Sequence, residues 1–237
     1  MNSVQLRQEL SERDLVFAEE KLQLMEHHLD YILKKNTTIR FTAIHDRNEA
    51  MRLHVLDSLL ALPEVLAAPQ GVMLDLGTGG GYPGFPLAIA AKRPTDLLDS
   101  VQKKAGVLQT FLDESHTGEP PITSIGARAE ELALERPGYY SVVLARAVSS
   151  LPALLELAAP LLCDGGQLIA YKGAADKNEL ERSIAAATIV GMRHRSTRDY
   201  VLPAGGEQRT IYVFERQRAA TIDLPRRSGR AQRKPLA

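Results

Sequence analysis

The 237-residue chain has no tryptophan, a single cysteine (Cys163) and no net formal charge. One thiol can build neither an internal disulfide framework nor a zinc site, and it fits a reducing compartment. The six histidines show no metal-ligand spacing, so no metal is expected. No apolar run approaches the roughly 18 residues that span a bilayer. The opening MNSVQLRQEL lacks the apolar stretch of a signal peptide, so a cytoplasmic protein without membrane contact is expected. What is present suits a folded domain with a sizeable core: 44% hydrophobic and 24% charged residues. The zero net charge hides an uneven distribution. The stretch LPRRSGRAQRKPLA, residues 224–237, carries Arg226, Arg227, Arg230, Arg233 and Lys234 and no acid. Such a tail suits a polyanion such as RNA, or is simply a solvated terminus.

Along the chain, residues 3–34 have helical apolar spacing with no Pro or Gly, and 49–66 form a second amphipathic helix that Pro63 interrupts. From residue 72 the pattern alternates. VMLDL, TDLLDS, PITSIG, YYSVVLARA and GGQLIAYKG read as strands, separated by helical PGFPLAIAAK, QKKAGVLQTFLDES, AEELALE and SLPALLELAAPLL. After a last helix, DKNELERSIAAATIV, the segment 191–217 reads as a hairpin around Gly205-Gly206. This predicts an α/β fold, a mostly parallel sheet with helices on both faces and an antiparallel edge hairpin. The expected organisation is an N-terminal helical region (1–66), a Rossmann-like domain (67–218) and a basic tail (219–237).

The bend LDLGTGGGYPGFP places Gly77, Gly79, Gly80, Gly81 and Gly84 between two strands that each carry an aspartate at the C-terminal end, Asp75 and Asp99. A P-loop is excluded, because Phe85-Pro86 stands where Lys and Ser/Thr are needed. The spacing G-x-G-x-x-G at Gly79, Gly81 and Gly84 is that of a dinucleotide site. Yet Asp75 lies where a pyrophosphate would approach, and no cation interrupts residues 72–91 to offset it. S-adenosylmethionine carries a sulfonium and an ammonium, which suit Asp75 and backbone carbonyls. Gly77 and Gly79 allow close approach, and Asp99 can accept both ribose hydroxyls. Ala129 and Glu130, after the third strand, lie where an adenine edge would fall. A class I S-adenosylmethionine-dependent methyltransferase is the favoured reading. An NAD(P)-dependent oxidoreductase and a non-catalytic RNA-binding module on the same fold remain the alternatives.

The acceptor is sought beyond the fourth and fifth strands. No Asn-Pro-Pro-Tyr occurs there, and Cys163, in a helix-to-strand turn, is a poor thiolate nucleophile. Arg146 and Lys172 end those strands and suit phosphate or the Hoogsteen edge of guanine. Arg146 could instead be spent on an ion pair with Glu130 or Asp75, and Lys172 on solvent. Guanine N7 has a free in-plane lone pair, so its methylation needs alignment and no base.

HVLDSL (54–59), LDLGTGGGYPGFPLAIA, LLDSVQKKAGVL, ARAEEL, LARAVSSL, YKG and the ending LPRRSGRAQRKPL together resemble the RsmG (GidB) family of bacterial guanine-N7 methyltransferases. The resemblance implies a monomeric enzyme that uses S-adenosylmethionine to methylate N7 of guanosine 527, in the 530 loop of 16S rRNA. By matching positions it implies cofactor contacts at Gly77, Tyr82, Asp99, Ala129, Glu130 and Arg146, with Arg146 also placing the target base. His54, Asp57 and Ser58 would line the site, and Lys103, Lys104, Lys172, Arg226 and Arg227 would meet the RNA of the small ribosomal subunit. Removing the tail is then expected to weaken RNA use more than cofactor use. Two departures, Arg40 for a frequent asparagine and Lys104 for an arginine, bear on RNA docking alone.

Overall fold

The computed structural model describes residues 1–115 and 120–237. The helical stretch at the N-terminus is two helices, α1 (Ser3–Ser11) and α2 (Glu19–Lys35). The break has no Gly or Pro to announce it. Asp14 takes a left-handed backbone (φ 57°), and the Leu15 N–H returns to the Leu10 carbonyl, closing a Schellman-type end. Next come α3 (Arg47–Ala50), a π-helical segment (Met51–Leu56) and α4 (Asp57–Leu59), which run on without interruption, and then α5 (Leu62–Ala67), where Pro63 occupies the first turn.

The alternating region follows as β1 (Met73–Leu76), α6 (Gly84–Ala91), β2 (Thr95–Asp99), α7 (Gln102–Glu114), β3 (Ile122–Gly126), α8 (Ala129–Glu135), β4 (Tyr140–Arg146), α9 (Leu151–Ala158), β5 (Leu162–Lys172), α10 (Lys177–Val190), β6 (Met192–Val201) and β7 (Gln208–Arg216). The sheet order is β3-β2-β1-β4-β5-β7-β6. The first five strands are parallel, and β7 pairs antiparallel with both β5 and β6. This is the Rossmann-like class I fold with the antiparallel edge that the sequence predicts.

The period-two alternation of the strands builds two cores. Met73, Val142, Leu144, Ile169, Ile211 and Val213 face the N-terminal helices and α6, and share one cluster with Leu6, Met25, Leu29 and Met51. Leu74, Val143, Ala145, Leu168, Ala170 and Phe214 face α8, α9 and α10. The N-terminal helices are thus one covering layer of the sheet. The basic tail is also packed down: α11 (Arg230–Arg233) buries Ala231 in the second core, with Leu224 and Leu236 half-buried beside it.

Candidate active site

Register decides which side chains meet at the carboxyl edge of the parallel strands. Leu76 lies between Leu98 and Ala145, Arg146 is opposite Tyr171, and Lys172 is opposite Thr210. Because β7 runs the other way, its first residues arrive at this same edge, and Tyr200 of β6 lies opposite Arg209. A cavity of about 570 Å³ opens there. Its lining includes Gly77–Gly80, Tyr82, Asp99 and Lys104 on one side, and Arg146, Lys172 and Arg209 on the other. The N-terminal layer closes it with Phe41, Thr42, His54 and Asp57.

The glycine bend is held from behind. Asp75 is fully buried, and its Oδ2 accepts the Thr78 hydroxyl at 2.5 Å and the Gly84 N–H at 2.8 Å. Burial pushes its carboxyl up to about 6 despite those bonds. Gly84 is required at the helix entry, since a Cβ would lie 2.5 Å from the Asp75 Cβ. Asp75 therefore shapes the loop, and the cavity wall is made by the residues in front of it. At the tip of β2, Asp99 accepts the Gly79 N–H at 3.0 Å and the Val101 N–H at 2.8 Å. Gly79 has φ +57°, and a Cβ there would face open space bounded only by the Phe41 carbonyl at 4.0 Å. A side-chain-free backbone beside a carboxylate with spare lone pairs fits a nucleoside whose ribose rests on Asp99.

The opposite wall is organised by Asp57, which is 2% exposed. Its Oδ1 accepts the Tyr200 hydroxyl at 2.8 Å, and its Oδ2 takes Arg146 Nη1 at 3.2 Å and Arg209 Nε at 3.4 Å. Arg146 also donates to the Leu53 carbonyl at 3.0 Å. Leu53 belongs to the π-helical segment, so this bond ties the end of β4 to the N-terminal layer. Neither Glu130 nor Asp75 pairs with Arg146. Lys172 is bonded to Glu179 at 2.8 Å and to the Ser149 carbonyl at 3.3 Å, so it is held in place with part of its side chain still open to the cavity.

His54 stacks on Tyr82 with ring centroids 4.9 Å apart, and its Nε2 meets the Thr42 hydroxyl at 3.0 Å. Burial, reinforced by Arg146, lowers its pKa to about 4, so the ring is neutral at pH 7. Ser58 bonds the His54 carbonyl and not its ring. Thr42 and Phe41 are placed by Asn36, whose side chain accepts both their N–H groups and donates to the Thr42 carbonyl.

A family model described as rRNA small subunit methyltransferase G (GidB) matches residues 21–210. The chain belongs to this family. It is 38% identical over 206 residues to the Ribosomal RNA small subunit methyltransferase G of Deinococcus radiodurans, covering 85% of this chain and 80% of that one. It is 30% identical over 243 residues to that of Limosilactobacillus reuteri, covering both in full. In three dimensions it is similar to TYW2 of Pyrococcus horikoshii in complex with MeSAdo (TM-score 0.55, 11% identity, 68% of this chain and 61% of that one). It is likewise similar to M. jannaschii TYW2 in complex with AdoMet (TM-score 0.50, 17% identity, 67% and 76%). The protein is thus a methyltransferase by family, on the class I fold.

Of the residues singled out in the sequence, Gly77, Gly79, Tyr82, Asp99, Lys104, Arg146, Lys172 and His54 converge on one cavity of this family member. Asp75 stands behind it. Ala129 and Glu130 start α8 beyond Asp99, where the Glu130 Oε1 accepts the Gly229 N–H at 2.7 Å. Arg226 is bonded through both Nε and Nη2 to the buried Glu156, while Arg227 is exposed. Arg209 carries no local sequence signal; it belongs to the late hairpin, and antiparallel register brings it here. Since Asp57 aims both guanidiniums, Asp57→Asn is expected to cut kcat about 10²-fold, the scale of a small misplacement. The measurement is single-turnover methylation with cofactor affinity followed in parallel; equal losses in both would mean general collapse.

Proposed function

We propose that S-adenosylmethionine lies along Gly77–Gly80 with its ribose on Asp99, and that the chain methylates guanine N7 of guanosine 527 in 16S rRNA. The observation that carries this reading is the two-sided cavity. A bare glycine backbone with a carboxylate faces a fixed row of cations, Arg146, Arg209 and Lys172. S-adenosylmethionine supplies, when bound, an electrophilic methyl group on a sulfonium. The chain's own task is alignment. Among the described residues of the wall, each candidate base is already engaged: Asp57 with Arg146, Arg209 and Tyr200, Asp99 with the Gly79 and Val101 N–H groups, and His54, which resists protonation, with Thr42. N7 attack needs no such base, because its lone pair is already free. Arg146 can donate toward the guanine O6 edge while Asp57 and the Leu53 carbonyl hold it still. Lys104, Lys172 and Arg227 are the proposed phosphate contacts, each adding roughly −0.7 to the salt slope on single-stranded RNA.

Two measurements test this. Calorimetry with adenosylhomocysteine and with NADH should show binding of the first alone; the reverse would replace the methyltransferase chemistry by an oxidoreductase. Mass mapping of 16S rRNA from cells with and without the protein should show N7-methylguanosine at position 527 only when it is present. Adenosylhomocysteine binding without that mark would leave a methyltransferase with another acceptor.

A further inference from the structure

The tail is anchored at two acids of the second core layer. Glu156 on α9 is 3% exposed and receives the Arg226 guanidinium through two bonds, and the same guanidinium holds the Lys234 carbonyl at 2.9 Å. This folds the tail back on itself, and Ala231 plugs the core between the two. The clamp brings the Gly229 N–H, from a left-handed backbone (φ 74°), onto the Glu130 carboxylate at 2.7 Å. Glu130 is itself 7% exposed and lies in the first turn of α8, four residues past Gly126, the β3 partner of Asp99. In the strand order β3-β2-β1, a ribose on Asp99 with the reactive end over Gly77–Gly79 leaves the nucleobase to extend toward β3 and α8.

We propose that residues 224–236 are an intramolecular strap that positions Glu130 at the nucleobase end of the cofactor site. This rests on the cofactor reading above. The strap's inner groups, Arg226 and Gly229, are spent on this chain, so the segment contributes to nucleoside affinity through Glu130, in addition to any RNA contact made by its exposed cations.

The expectation from sequence, that losing the tail weakens RNA use first, therefore changes: deletion affects both ligands, and point variants separate them. Arg226→Gln breaks the clamp and is expected to weaken adenosylhomocysteine about tenfold, within the usual range of coupled sites. Arg230→Ser removes a charge from the outer face only and should leave that affinity unchanged. Reciprocity supplies a readout on the unmutated chain: saturating adenosylhomocysteine should slow amide exchange across 224–236. Binding by the wild type with tail exchange unaltered, or Arg226→Gln binding as tightly as wild type, overturns the strap. No binding by the wild type overturns the cofactor reading instead.

Discussion

Arg146→Ala is expected to lower kcat for methyl transfer about 10³-fold, the scale for losing a preorganised donor at a reacting centre, while the protein stays folded. The structure explains why the two effects separate. Asp57 is a buried carboxylate, and stripping such a group of its only cation is strongly destabilising. Here Arg209 Nε and the Tyr200 hydroxyl remain on Asp57 after Arg146 is gone. Tyr171 still bonds the Ser58 carbonyl at 2.7 Å and ties the N-terminal layer to β5. What is lost is one planar donor at the end of β4, facing the cavity beside the glycine bend. Rapid-quench turnover on under-methylated small subunits, with the melting temperature measured alongside, decides the matter. Turnover within a few-fold of wild type would remove Arg146 from the chemistry.

The same network shows why only part of the site could be read from the sequence. Glycines and prolines mark the bend, and Asp99 ends a short buried strand, so local punctuation marks that wall. The place of Arg146 and Lys172 beside the cavity is legible because they end strands whose position in a parallel sheet is predictable. Arg209 carries no local signal. It comes from an antiparallel strand, and its arrival at the carboxyl edge depends on pairing Lys172 with Thr210. Asp75 misleads in the opposite way: it stands one residue before the end of β1, yet its carboxylate turns under the loop toward Gly84. Arg226 reads from the sequence as an RNA contact because its acid, Glu156, lies 70 residues earlier on another element. The fold was legible for a simpler reason. The alternation of Leu74 against Met73, or Leu168 against Ile169, writes both core faces into the strands themselves.

The second large effect expected is loss of stability in mild acid, driven by histidines that are buried neutral. His28 on α2 is fully buried among Tyr82, Phe85 and Phe111, and neither ring nitrogen has a hydrogen-bond partner among the described residues. Burial lowers its pKa from 6.5 to about 3, and His54 falls to about 4. Below pH 6.5 the unfolded chain takes up two protons that the folded chain refuses, so these groups cost stability as pH falls. Asp75 opposes them: raised from 3.8 to about 6, it is protonated in the folded state first. Near pH 5.5 the balance is two protons against one, a net loss of about 1.4 kcal/mol per pH unit. His28→Leu, close in volume and without orphaned nitrogens, leaves one against one. Denaturant midpoints from pH 6.5 to 5 should therefore fall for the wild type and stay nearly level for His28→Leu. Parallel slopes would mean that His28 finds a proton partner in the folded state, and that the interface between α2 and the glycine bend is wetter than its packing shows.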